Sequence, residues 1–371
     1  MESLHEDLVY QIGLTLIDGI GDVNAKNLLA YCGSAKDVFK EKKMKLQKIP
    51  GIGQTLANAV FHSKPVLKRA EEELIFIEKY KIRPLFFTDE HYPLRLKSCS
   101  DGPILLYYKG SANLNADKIL AVVGTRRPSE YGKQLTEQLV NDLAGSGILV
   151  ISGLAYGIDI LAHRTALDSG LDTVGVLAHG LDRIYPGTHN TTAKRMLHQG
   201  GLLTEFMSLT NPDAVNFPKR NRIVAGLCDA LVVVESKRSG GSLITATIGS
   251  SYNKDIFAFP GRAGESLSEG GNGLIKQNRA TLIENAEDVL FAMQWQEKKA
   301  QDKKTKQIPL QISLNEDEHR IYNCFSNRTS IHLDELCQTT QLPVSKVSAV
   351  LLQLEFSNLI KSRPGKMYEL L

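Results

Sequence analysis

The sequence predicts an α/β protein: a Rossmann-like core on a mostly parallel sheet, preceded by a small helical domain and followed by a winged-helix domain. Three observations predict it. From residue 116 short apolar runs alternate with helical patterns, which argues for a parallel sheet wound with helices. Ahead of it, IDGIGDVNAKNLL and IPGIGQTLANAVF repeat an apolar-x-Gly-apolar-Gly turn that runs into a helix. Behind it, three helical patterns lead into a hairpin pattern, NLIKSRPGKMYELL.

Taken in order, residues 1–80 read as a tandem helix-hairpin-helix (SAM-like) domain, in which 66–80 form a connecting helix. Residues 81–294 form the Rossmann-like domain. Its first part, 81–115, reads as a loosely structured approach containing FFTDEHYPLRL and PILLYYKG. Strands are expected at Ile119–Val123, Ile148–Ser152, Thr173–Ala178, Leu202–Glu205, Ala230–Glu235 and Ile256–Phe259, with helices between them, for example from Ser129 and Ala155. Alternation ends near Met293. A charged, apolar-poor stretch at 295–311 reads as a flexible linker, and 312–371 as a winged helix-turn-helix domain.

Composition sets bounds on function. Of 371 residues 42% are hydrophobic and 23% charged, so large cores can be buried. The net charge of +3 does not by itself point to nucleic acid, and only local clusters of charge can. Five scattered cysteines form no CxxC pair and imply neither a zinc site nor a disulfide framework. The N-terminal residues lack the pattern of a secretory signal, and the apolar runs are strand-length. The expectation is a cytoplasmic protein without membrane contact.

Three segments carry chemistry. In AVVGTRRPSEYG a strand ends at Gly124 and a helix begins near Ser129. Glycine permits close approach of a ligand, the helix directs its amides and positive dipole end toward an anion, and Arg126 and Arg127 add bidentate donors. In NFPKRNRIVAGL, Lys219, Arg220 and Arg222 cluster around Asn221 beside Phe217, which suits phosphates and a stacked base. The bland alternative pairs an arginine with Asp229 or Glu235 and places Phe217 in the core. In ESKRSGGSLITATIGSSY a strand runs into Gly240, Gly241 and Ser242, with Ser242 as the expected N-cap of a second helix. Helix termini at the C-terminal edge of an open α/β sheet face its ligand-binding crevice. Together these features suit a chain of phosphates better than one nucleotide. The dinucleotide fingerprint G-x-G-x-x-G, its ribose-binding acid and a Walker A motif are all absent, so neither a nicotinamide cofactor nor ATP is expected.

Catalysis finds less support. Asp159 and His163, four residues apart, share a helix face and offer either an acid–base pair or a hydrogen-bonded pair supporting a glycine loop. Glu205 and Asp182 are carboxylates with no evident nucleophile. Related Rossmann-like folds include nucleotide phosphoribohydrolases, which use a Pro-Gly-Gly-x-Gly-Thr loop and a following glutamate. The comparable stretch, Ser239 to Leu243, has no glutamate until Glu265.

The flanking domains leave alternatives open. Gly19-Ile20-Gly21 lies between Asp18 and Asp22, which repel phosphates. Gly51-Ile52-Gly53, with Lys45, Lys48 and Lys64 nearby, is the better candidate for amide contacts with DNA, against a purely structural hairpin or a protein-binding module. The expected recognition helix from Pro343 carries one cation, Lys346, and one acid, Glu355. A folding or protein-contact module suits it better than a base reader.

The segments AVVGTRRPSEYG, ISGLAYGIDILAHRTAL, GVLAHGLDRIYP, NFPKRNRIVAGL, SGGSLITA and FAFPGRAGESLSEGGNGLI, in that order and spacing, resemble the DNA-processing protein A family (DprA, also called Smf). The resemblance covers about residues 85–292 closely. It implies a non-enzymatic homodimer, without cofactor, that binds single-stranded DNA in natural transformation, protects the strand and loads the recombinase RecA. By position it assigns DNA contact to Gly124, Thr125 and Arg126, to Ser152 and Gly153, to Phe217, Arg220, Asn221 and Arg222, and to Gly240 through Ser242. It implies a dimer face around Leu274, Ile275 and Leu282. Thr125 replaces the family's usual serine, Gly187 a frequent lysine, Asn278-Arg279-Ala280 a typical x-Gly-Ala turn, and Met207 a common proline.

Overall fold

Apolar residues fill both faces of the central strands, as a sheet covered on both sides requires. In the computed structural model, which describes residues 2–296, 315–325, 330–357, 359–363 and 366–370, this pattern is literal. In the strand Ile119–Val123, Ile119, Ala121 and Val123 enter one buried cluster while Leu120 and Val122 enter the cluster on the opposite face. The strands Leu149–Ser152, Ala230–Val233 and Asp255–Ala258 divide in the same way.

Nine strands form the sheet: β1 (Arg83–Phe86), β2 (Leu105–Gly110), β3 (Ile119–Val123), β4 (Leu149–Ser152), β5 (Thr173–Val176), β6 (Gly200–Thr204), β7 (Ala230–Val233), β8 (Asp255–Ala258) and β9 (Thr281–Leu282). Their order is β1-β2-β6-β5-β4-β3-β7-β8-β9. The seven from β6 to β9 run parallel, while β2 joins β6 and β1 joins β2 antiparallel. From β3 the chain winds outward to β4, β5 and β6, then returns to place β7 on the other side of β3. The β3–β7 boundary is therefore the switch point, where the crevice of such a sheet opens.

Residues 81–115 are not a loose approach. They supply β1, β2 and the short helix Leu94–Lys97. In β2, Leu106 and Tyr108 pack into the sheet core while Leu105 and Tyr107 pack against the N-terminal helices, so one strand serves two cores. A four-residue apolar run buried on both faces has no alternation to betray it. The short β9 was also unforeseen.

The N-terminal helices Glu2–Thr15, Asp22–Cys32, Ala35–Lys40, Lys43–Leu46, Gln54–Phe61 and Val66–Lys79 close over a core that includes Ile12, Leu28, Leu46, Ile52 and Ile77. This core continues into Phe86, Ile104, Leu105 and Tyr107, and Met207 packs against it. Met207 thus helps seat the helical domain. A polar tie lies alongside: buried Glu73 receives Arg69 and the amide and hydroxyl of Ser208.

The chain divides into two units, Met1–Glu297 and Lys298–Leu371. In the second, the helices Glu316–Asn323, Leu333–Thr340 and Val344–Phe356 pack with a three-stranded sheet of Ile331–His332, Met367–Leu370 and Ile360–Arg363, a winged helix. Lys346 on the third helix pairs with Asp317 at 2.6 Å. The expected linker lies, from residue 297, outside the described residues. Among those residues no helix is long and apolar enough to cross a membrane.

Candidate nucleic-acid interface

A cavity of about 570 Å3 opens at the switch point. Gly124, Thr125 and Arg126 after β3, Gly153 after β4, the helix Asn216–Leu227 and the Ser239–Ser242 turn after β7 form its walls. All three segments singled out in the sequence therefore meet there, and their local geometry separates them into different tasks.

Arg126 and Arg127 are exposed and have no carboxylate partner among the described residues. The Arg126 guanidinium lies 5.3 Å from the centre of the Phe217 ring, a cation–π contact that holds it at the rim. The helix after this turn does not offer its dipole to a ligand. Ser129 caps Glu130–Asp142 through Gly132 N–H, and its amide and hydroxyl both donate to the buried Glu235 carboxylate. Glu235 is the anion at that terminus. Nor does Gly124 make room for a ligand: a Cβ there would stand 2.5 Å from Ile158.

The helix Gly241–Ser251 behaves differently. Gly240, not Ser242, is its N-cap, and no side chain caps it. The Ser242 hydroxyl turns inward to Ser236 Oγ at 2.9 Å. The first-turn amides at Gly241 and Ser242 thus stay open to the cavity, and open space surrounds Gly241 where a side chain would be. An uncapped N-terminus beside a crevice is an anion seat. Exposed Lys237 and Arg238 precede it, and Lys237 lines the cavity.

The cluster on Asn216–Leu227 divides by helix face. Phe217 and Asn221 line the cavity, and Lys219 is exposed. Arg220 lines it too but is buried, donating through Nη1 to Gly153 O and, at 2.7 Å, to Val176 O. A Cβ at Gly153 would overlap that guanidinium, so a side chain there would displace Arg220. Arg222 donates to Asp101 O and to Glu205, and reaches Asp22 at 3.1 Å. Neither arginine pairs with Asp229 or Glu235: Asp229 is taken by Arg95. Ser152 is also internal, its hydroxyl donating to Val122 O at 2.6 Å.

Asp159 and His163 do not form a pair. Asp159 accepts the Gly153 amide at 3.2 Å and supports the glycine turn; burial pushes its carboxyl up against the pull of Arg220. His163 Nδ1 meets Thr173 Oγ1 at 2.6 Å, and burial drives its imidazole down to about 3. Glu205, pushed up to about 7 by burial, faces the N-terminal domain, and Asp182 accepts the Leu209 amide.

Some residues escaped notice in the sequence. Tyr156 and Tyr185 stand half-exposed with Arg126 and Phe217 around a smaller recess, and the Tyr185 ring lies 6.4 Å from Phe217. Aromatic residues on loops, in LAYGID and RIYPG, were the available signal. On the expected dimer face, Leu274 belongs to the sheet core and Ile275 packs on it, so Leu282, 45% exposed on the edge strand β9, supplies the apolar surface. In the helical domain, Asp22 accepts Ile104 N and pairs with Arg222, so the first glycine turn is docked against the core. Gly51, Gly53 and Lys48 are exposed.

Comparison with known proteins gives a consistent result. Protein Smf of Escherichia coli is 34% identical over 303 residues, 80% of each chain. The DNA processing protein DprA of Streptococcus pneumoniae is 38% identical over 213 residues, 57% of this chain and 75% of that one. An X-ray structure of DprA from S. pneumoniae superposes with a TM-score of 0.63 at 31% identity, covering 76% of this chain and 97% of that one. DNA processing protein A from Helicobacter pylori, from a structural study of its single-stranded DNA binding mode, superposes with a TM-score of 0.53 at 30% identity, over 58% of this chain and 96% of that one. Residues 305–366 match the DprA winged helix domain, and residues 83–294, which hold the whole cavity, match the model described as DNA recombination-mediator protein A; the chain belongs to that family.

Proposed function

We propose that this chain binds single-stranded DNA in the switch-point cavity and acts as a recombination mediator. One observation carries the reading: Arg126, free of carboxylates, and Lys237 converge with an uncapped helix N-terminus on a cavity that also presents Phe217. Cations and amides hold phosphates, and a ring held at the rim stacks on a base that has no partner strand. Thr125, Lys219, Asn221, Gly240, Gly241 and Ser242 complete the contact surface, while Ser152, Gly153, Arg220 and Arg222 shape it from beneath. Binding is independent of base identity and involves no reaction on the strand. The homodimer forms through the β9 edge around Leu282, protects incoming DNA in natural transformation and delivers it to RecA. The relatives' names and the single-strand study of the H. pylori protein support this reading.

Fluorescence anisotropy of labelled oligo-dT and of a duplex of equal length, across a salt series, tests it. The single strand binds more tightly, and Arg126→Ala weakens all sequences alike while flattening log K against log[salt] by roughly 0.7. Equal or better duplex binding, indifferent to Arg126, refutes it.

A further inference from the structure

Arg126 borders more than one hollow. A second one, also about 570 Å3, is walled by Arg126, Arg127, Lys133, Tyr156 and Arg164, with no carboxylate in its lining. Arg126, Arg127 and Arg164 have no carboxylate partner among the described residues; only Lys133 is tied, to Glu130 at 2.6 Å. Guanidinium groups gathered without a counter-charge repel one another, and an anion seated among them relieves that repulsion.

The backbone fixes this gathering in place. Gly157, at φ +80°, lies so close to the arginine turn that a Cβ would stand 2.2 Å from Thr125 O. The next amide, Ile158 N–H, donates to that same oxygen at 3.2 Å. The start of the helix Ile158–Asp168 is thereby joined to the turn carrying Arg126 and Arg127. Arg164 follows on this helix, its Nε donating to Thr192 at 3.3 Å. Tyr156 precedes it, 48% exposed, its ring 5.0 Å from His189 in an edge contact. Tyr156 and Arg126 also line the recess beside Phe217, so the two hollows share a rim.

We propose that this second hollow is a further phosphate-and-base subsite, which takes the next stretch of the strand held in the switch-point cavity. Arg127, Arg164 and Lys133 receive its phosphates, and Tyr156 stacks on one base. The proposal rests on the single-strand reading above and extends the site across Arg126.

A length series of labelled oligo-dT with the full chain tests it. Arg164→Ala narrows the affinity difference between long and short strands and flattens the long-strand salt slope by roughly 0.7. Tyr156→Ala weakens long strands about fivefold or more, while Arg164→Lys and Tyr156→Phe, which keep the charge and the ring, retain most of the affinity. Photocrosslinking of 5-iodouracil-substituted strands to the unaltered protein marks Tyr156. If Arg126→Ala weakens every length but the Arg164 and Tyr156 variants match the parent and Tyr156 is never crosslinked, the second subsite is wrong and the first stands. If Arg126→Ala changes nothing, the underlying reading falls and this one with it.

Discussion

The turn carrying Arg126 and Arg127 and the helix carrying Arg220 and Arg222 border the same crevice, yet their guanidinium groups live in different surroundings. The first pair is exposed and meets no carboxylate among the described residues. Arg220 is buried against the carbonyls that end β4 and β5, and Arg222 is bound to Glu205, Asp22 and the Asp101 carbonyl. A cation's spacing in the sequence says nothing about which fate it meets. What decides is whether the fold brings acceptors to it, and here Arg220 and Arg222 are engaged inside the protein while Arg126 and Arg127 stay exposed.

The largest effect that separates these roles belongs to Arg220. Arg220→Met leaves the Gly153 and Val176 carbonyls without their donor, and a buried polar group left unsatisfied costs about 1–3 kcal/mol. Urea unfolding of the variant should show that loss, with DNA affinity falling only as the folded fraction falls. A variant as stable as its parent but unable to bind DNA would place Arg220 with the contact residues and break the distinction.

Arg222 leads to the second effect, which depends on pH. Burial pushes the Glu205 carboxyl from its ordinary 4.5 up to about 7, with Arg222 resisting. Between those values the folded chain keeps a proton that the unfolded chain has released. The stability this group contributes is therefore complete below 4.5 and lost as pH rises through 7, a change on the order of 3 kcal/mol. Glu205→Gln should remove that decline when unfolding is followed from acid to neutral pH. A parent whose stability relative to the variant stays flat over the same window would show that Glu205 is ionised throughout, an ordinary partner of Arg222.

The sheet, its parallel direction and the convergence of three segments at one edge were all legible, because strand-length apolar runs and glycine turns are local signals. The β3, β4, β7 and β8 positions came within a residue or two. β1 and β2 were not legible, since Arg83–Phe86 contains a proline and Leu105–Tyr108 is buried on both faces. Within the site, residue type was readable and direction was not. Ser129 and Glu235, 106 residues apart, close one helix terminus, and nothing near Ser129 in the sequence announces it. The reasons for glycine at 124 and 153 were likewise remote: Ile158 approaches one, and Arg220 lies across the other.

The same division between inward and outward groups separates the two glycine turns of the helical domain, and there the expected effect is smallest. Asp22 fastens the first turn to Ile104 and Arg222, whereas Gly51, Gly53 and Lys48 of the second are exposed. If DNA running out of the crevice meets the second turn, Lys48→Ala removes one phosphate contact. The salt slope for long strands then flattens by roughly 0.7, without loss of stability beyond about 0.5 kcal/mol. Asp22→Ala acts in the opposite sense: it frees an Ile104 amide and one hand of Arg222, so it lowers stability and leaves the salt slope unchanged. A Lys48 variant with the parent's slope would leave both turns as structural hairpins, and the outward-facing cations that matter would all lie around Arg126.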